Sequence, residues 1–159
     1  MGPTMDDARS LRAVRIELEL RVTYQDEPGR FARLLTILRE AGGRLNGHLA
    51  YRLSDDRCVA LFVCEKPADA ALRIREVGFE VGTETVLVVR TEGRHGALGH
   101  LVSCIEAAGI GIAYSYAMAH ADEFVAVIST DDNPRAEDVL AGYLFPEEPE
   151  GATFPPPKK

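Results

Sequence analysis

The chain has 159 residues, 46% of them hydrophobic and 27% charged, with a formal net charge of −7. This suits one ordinary globular domain or two very small ones. The acidity argues against duplex nucleic acid, whose phosphates demand a basic footprint. No run approaches the roughly 18 apolar residues that would cross a membrane.

The start is polar and acidic, so residues 1–12 read as a loose end without a signal peptide. From Val14 apolar and polar residues alternate. Val14, Ile16, Leu18, Leu20, Val22 and Tyr24 point one way, and Arg15, Glu17, Glu19, Arg21 and Thr23 the other. That predicts a long strand with one dry and one wet face. Pro28 suits a first helical position, and Asp26 or Glu27 suits a cap on the free amides. Phe31, Leu34, Leu35 and Leu38 form one helical stripe, and Gly42 and Gly43 end it. Residues 45–53 and the run CVALFVC (58–64) read as two further strands. Pro67 opens a second helix with Ala68, Ala71, Leu72 and Arg75 on one side, and FEV (79–81) reads as a short fourth strand. The order is β-α-β-β-α-β, the ferredoxin-like arrangement.

The layout then repeats at an offset of 67 residues. Gly29 recurs as Gly96, Leu34 as Leu101, Ala41-Gly42 as Ala108-Gly109, Asp55 as Asp122 and Pro67 as Pro134. Matching turns, glycines and a helix-opening proline at one offset predict two copies of one unit. The fold expected is α+β: two tandem ferredoxin-like βαββαβ units with antiparallel sheets. They span residues 14–82 and 83–145, followed by a disordered proline-rich tail over 146–159. Little sequence is left for the second copy's own fourth strand; it is absent, or the Thr153-Phe154 pair supplies it.

An Asp-x-Pro-Gly turn between a first strand and a first helix, followed by Ala-Gly before a second strand, resembles the ACT domain. Asp26, Glu27, Pro28, Gly29, Ala41 and Gly42 carry the resemblance. Two such units resemble the small bacterial tandem-ACT proteins. The second copy keeps Gly96, Ala108, Gly109 and Ile110 but has Arg94-His95 where the acid and proline would stand.

The resemblance implies a non-catalytic regulatory protein that binds an amino acid between units. It places the ligand between the strand–helix turn of one unit and the second strand of its neighbour. The implied site residues are Asp26, Glu27, Pro28, Gly29, Arg30, Phe31 and Asn46, with Gly96, Ala97, Leu98, Tyr114 and Tyr116 in the second copy. Free helix-start amides suit a carboxylate, and Asp26 or Glu27 suits an ammonium. From residue mechanics alone Pro28-Gly29 is first a plain helix start, and Asn46 is equally a strand-end residue. Tyr114, Tyr116, Met118 and His120 share a strand face that walls a pocket or packs on the neighbouring helix.

Two alternatives stand beside this reading. One is a regulatory subunit of an amino-acid biosynthetic enzyme such as acetolactate synthase; the other is a small enzyme on a ferredoxin-like scaffold. The histidines (His48, His95, His100, His120) are scattered, and no metal-type pairing is read among them. No cofactor motif is present. Three cysteines, an odd number, read as reduced thiols in a cytoplasmic protein, with Cys104 off the apolar stripe and no base near it. Both faces of the strand 58–64 are apolar. Helices cover only one face of such a sheet, so a second chain is expected over the other, in a homodimer or larger assembly.

Overall fold

A computed structural model describes residues 11–92, 96–120 and 123–144. In chain order the elements are β1 (Leu11–Gln25), α1 (Arg30–Glu40), β2 (Leu45–Arg52), β3 (Arg57–Cys64), α2 (Pro67–Glu76) and β4 (Glu80–Glu92). Then follow α3 (Ala97–Ala107), β5 (Ile112–His120), β6 (Glu123–Thr130) and α4 (Asn133–Ala141). The mixed α/β, ferredoxin-like plan read from the sequence is therefore present twice. The proposed tail, Arg94-His95 and Asp122 lie outside the described residues.

The repeat is visible in the backbone. Gly29 and Gly96 hold φ of 87° and 88°, and Gly42 and Gly109 hold 72° and 73°. Register shifts at Leu45/Gly47 and at Ile112/Tyr114 put a bulge at the same point of both second strands. These left-handed glycines sit where an L side chain would strain the chain.

The strands form one antiparallel sheet in the order β2-β3-β1-β4-β6-β5. The units exchange strand length through its two central members. The second half of β1 pairs with β3, from Glu19↔Val63 to Gln25↔Arg57. Most of β1 pairs with β4, from Leu11↔Thr91 to Thr23↔Glu80, and the second half of β4 pairs with β6. The short strand FEV and the second copy's first strand are thus one continuous element. The fourth-strand place of the second copy is taken by the first half of β1. Leu11, expected in a loose end, is 2% exposed there.

The helices share one face of this sheet. Leu20, Val22, Phe62, Leu34, Leu38, Ala71 and Ile74 make the first core. Leu11, Leu87, Val89, Ile128, Leu101, Ile105 and Leu140 make the second, with Val14 and Ile16 packed against it. Helix α2 buries Ala70, Ala71 and Ile74 rather than the stripe expected, and Leu72 is 56% exposed.

The opposite face is covered by the chain itself. Val63, Val86, Val88 and Val127 are buried there with Tyr114, Tyr116 and Val125 against them. Sheet edges β2 and β5 meet over it: a Cβ added at Gly47 would stand 3.4 Å from Val127 Cγ2 and 3.5 Å from Tyr116 Cε2. Those are ordinary contact distances, so a methyl would just fill the space between the two edges. Val59, Leu61 and Val63 are at most 1% exposed in the single chain, so the two-faced apolar strand needs no second chain to cover it. Among the described residues no helix is long and apolar enough to cross a membrane.

Candidate functional site

The first turn leaves β1 at Gln25. Asp26 N–H donates to Asp56 O (2.9 Å), Glu27 N–H to Gln25 O (2.8 Å) and Arg30 N–H to Glu27 O (3.2 Å). Pro28 and Gly29 form the turn, and α1 begins only at Arg30, so Pro28 precedes the helix instead of opening it. Gly29 is the N-cap, and no side chain caps the helix. Asp26 and Glu27, expected as caps, pair instead with Arg52 Nη2 (2.5 Å) and Arg30 Nε (2.9 Å). An added Cβ at Gly29 would meet nothing within 4 Å, so glycine serves the positive φ and leaves the helix start open.

A cavity of about 190 Å³ lies beside this turn, lined in part by Tyr24, Gln25, Arg30, Arg57 and Phe79. The Arg30 guanidinium sits 5.9 Å from the centre of the Phe79 ring, and Arg57 Nη2 bonds Glu80 Oε2 at 3.2 Å. Arg57, Phe79 and Glu80 escaped the sequence reading because the sheet register brings them here. Gln25 lies opposite Arg57, and Thr23 opposite Glu80. Phe31 stacks with Tyr24 at 6.4 Å and with Phe62 at 6.5 Å, so it belongs to the core behind the turn.

The second turn repeats the geometry. Gly96 (φ 88°, ψ −11°) is the N-cap of α3, again without a side-chain cap. Ala97 is buried and Leu98 packs on the second core. The antiparallel β1/β4 register sends the two turns out of opposite ends of the sheet. The twelve residue pairs between these strands put the two turns roughly 40 Å apart. Asn46 lies at the Cys64 end of β2, whereas Asp26 touches Arg52 at its other end. Within one chain, therefore, Gly29, Asn46 and Gly96 are not brought together.

Tyr114 and Tyr116 point away from the helices onto the back face, where they meet residues that the alternation of β1 had assigned to a wet face. Tyr116 Oη donates to Glu19 Oε1 at 2.7 Å, and Tyr114 Oη lies against Glu19 Oε2 and 2.8 Å from Glu84 Oε1. Glu19 is 0% exposed. Burial pushes its carboxyl above the usual carboxylate range, and burial with the adjoining carboxylates raises both phenols. Nothing local in the sequence marks Glu19; only the curl of the sheet buries it. His120 is described in backbone alone.

One pairing was missed outright. His100 and Cys104 are four residues apart on α3, with Nε2 and Sγ 3.7 Å apart. The His100 ring meets Tyr143 edge-on at 5.5 Å. Cys58 and Cys64 are buried.

Comparison with known proteins agrees with this geometry. Residues 14–144 match the family model for an ACT domain pair. No curated protein sequence matches the chain. Among solved structures, protein BT0572 from Bacteroides thetaiotaomicron superposes with a TM-score of 0.75 at 19% identity, over 81% of this chain and 89% of that one. The ligand-free regulatory subunit of aspartate kinase from Thermus thermophilus gives 0.64 at 13% identity, over 84% and 98%. The regulatory subunit of aspartate kinase from Thermus flavus gives 0.58 at 14% identity, again over 84% and 98%. At these identities the structures share the fold. The family match spans most of the chain and coincides with the duplicated glycine turns: this chain belongs to the ACT domain pair family.

Proposed function

We infer that the chain is a non-catalytic regulatory protein that binds an amino acid or a similar small effector at its first strand–helix turn. One observation carries this reading. The start of α1 is capped by no side chain, is opened by Gly29 in the left-handed region, and has a cavity with two arginines beside it. Such a helix start favours a carboxylate through its amides and dipole. The ammonium of an amino acid then competes with Arg30 for Glu27, or with Arg52 for Asp26. The second strand of a neighbouring unit completes the site from another chain, since Asn46 and the tyrosines lie away from this turn. A homodimer or larger assembly, expected from the sequence, is supported by exposed apolar residues at and just after edge strand β2, where Leu45 and Tyr51 on the strand and Leu53 beyond it are 36%, 38% and 55% exposed.

The test is calorimetric titration with the twenty amino acids, followed by Gly29→Ala and Gly96→Ala. Both substitutions meet the same φ, so both carry the same strain. Binding lost in Gly29→Ala and kept in Gly96→Ala supports the first turn. Equal binding in both variants refutes it. A second reading has its own support: the Thermus neighbours are regulatory subunits of aspartate kinase, almost all of whose length is covered. A catalytic partner subunit that co-purifies with this chain would establish that reading.

A further inference from the structure

The cluster on the back face poses a problem in counting protons. Tyr114 Oη is within hydrogen-bonding reach of two carboxyl groups, Glu19 and Glu84, and carries one hydrogen. Were both carboxyls ionised, the hydroxyl would satisfy one of them and turn a lone pair toward the other. Tyr116 cannot resolve this, because its own hydrogen goes to Glu19 Oε1. A single extra proton does. Tyr116 then donates to Glu19 Oε1, Glu19 Oε2–H donates to Tyr114 Oη, and Tyr114 donates to Glu84 Oε1.

We propose that Glu19 is a buried proton-binding site joining the two units, occupied at neutral pH. Three observations place the proton on Glu19 rather than on Glu84. Glu19 is fully buried whereas Glu84 is half-buried at the rim, so ionisation is more easily solvated at Glu84. The neighbours of Glu19 across the sheet are Val63 on β3 and Glu84 on β4, which offer it no cation. The charged groups of its own strand on the same face are Arg15, Glu17 and Arg21; Arg21 acts on Glu19 more weakly than burial does. Among the described residues it meets the two phenols from β5, and apolar groups line the rest of that pocket, with Val127 from β6 and Gly47 on β2 over Tyr116. The network runs from β1 of the first unit to β5 of the second, beneath the point where edges β2 and β5 meet. Ionising Glu19 sets two negative carboxylates against one hydroxyl and loosens that closure.

The sign of the pH dependence follows. The carboxyl sits above its ordinary value of 4.5 in the folded chain, so the folded state binds the proton more tightly than the unfolded one. Its contribution is fully present below about pH 4.5. It declines as pH rises from there to the folded-state value, and the loss is complete above that.

The test uses the full chain and Glu19→Gln. The amide repeats the pattern, accepting from Tyr116 and donating to Tyr114, without a titrating group. Infrared difference spectra at pH 7 should show the C=O stretch of a protonated carboxyl in wild type and none in Glu19→Gln. The melting temperature of wild type minus that of the variant should fall as pH rises from 4.5. Absence of the protonated band in wild type, its survival in Glu19→Gln, or a pH-independent difference overturns the proposal. A measurement on wild type alone guards against a variant that fails to fold. Carbon-13 titration of the glutamate carboxyls should leave one resonance protonated at pH 7, and ordinary titration of every glutamate overturns the proposal equally.

Discussion

Leu11 tests the strand exchange most sharply. It lies three residues before the alternating run begins, yet it is 2% exposed in the core of the second unit, opposite Thr91. Leu11→Ala removes a buried side chain that the surroundings cannot fully replace. The expected loss is about 3 kcal/mol, within the range for buried leucine truncations. For a chain of this size that lowers the melting temperature by roughly 6–12 °C. The assay is urea denaturation of the variant followed by two double-mutant cycles. Leu11 shares its core with Leu101, whereas Leu34 belongs to the first core. Leu11→Ala and Leu101→Ala should couple by at least about 0.5 kcal/mol, and Leu11→Ala and Leu34→Ala should add. A loss below about 0.5 kcal/mol for Leu11→Ala, the figure for a surface position, refutes the reasoning. So does coupling to Leu34 in place of Leu101.

Asn133 is buried, accepts from Thr130 N–H (3.2 Å) and Thr130 Oγ1 (2.8 Å), and donates to Thr85 O (2.6 Å). Asn133→Ala leaves those groups without it and should cost about 2–3 kcal/mol by chemical denaturation. Asp132 caps α4 by accepting from Arg135 N–H at 3.1 Å, so Asp132→Ala should cost about 1 kcal/mol in the same assay. At Gly47 a branched side chain would crowd the closure over Val127 and Tyr116, and Gly47→Val should lose about 1–3 kcal/mol. Burial pushes the Cys64 thiol up to about 11, so at pH 8 an alkylating reagent should label Cys104 in the folded chain and spare Cys64 until urea is added.

The repeat was legible because it consists of local events. A glycine that must take a left-handed φ, a helix stripe and an opening proline each leave a mark within a few residues. The mark recurs 67 positions on, as the paired φ values of Gly29 and Gly96 show. What the sequence hid was long-range pairing. Leu11 meets Thr91 only through the β1/β4 register, so nothing near residue 11 announces that it completes the second unit. Glu19 was misplaced for a related reason. Alternation tells which residues share a face but not whether that face sees water, and here the sheet curls over it. Helix α2 shows the limit of stripe reading on a short, alanine-rich segment, where Ile74 and not Leu72 points inward. At the candidate site, the turn and its glycine were legible. The fate of Asp26 was not, because its partner Arg52 comes from β2, and for Glu27 the competition between a cap and an ion pair with Arg30 is settled in space.

The reading of this chain as an effector-binding regulator is tested most directly by a thermal-shift panel of the twenty amino acids and their matching α-keto acids. An effector at a hundredfold excess over Kd stabilises the folded state by about 2.7 kcal/mol. That raises the melting temperature by roughly 5–10 °C. The account predicts such a rise for one amino acid or a few close relatives, with a much smaller rise for the keto acid, which lacks the ammonium. No shift from any amino acid at millimolar concentration contradicts effector binding by this chain, and equal shifts from amino and keto acids contradict the role given to Asp26 and Glu27.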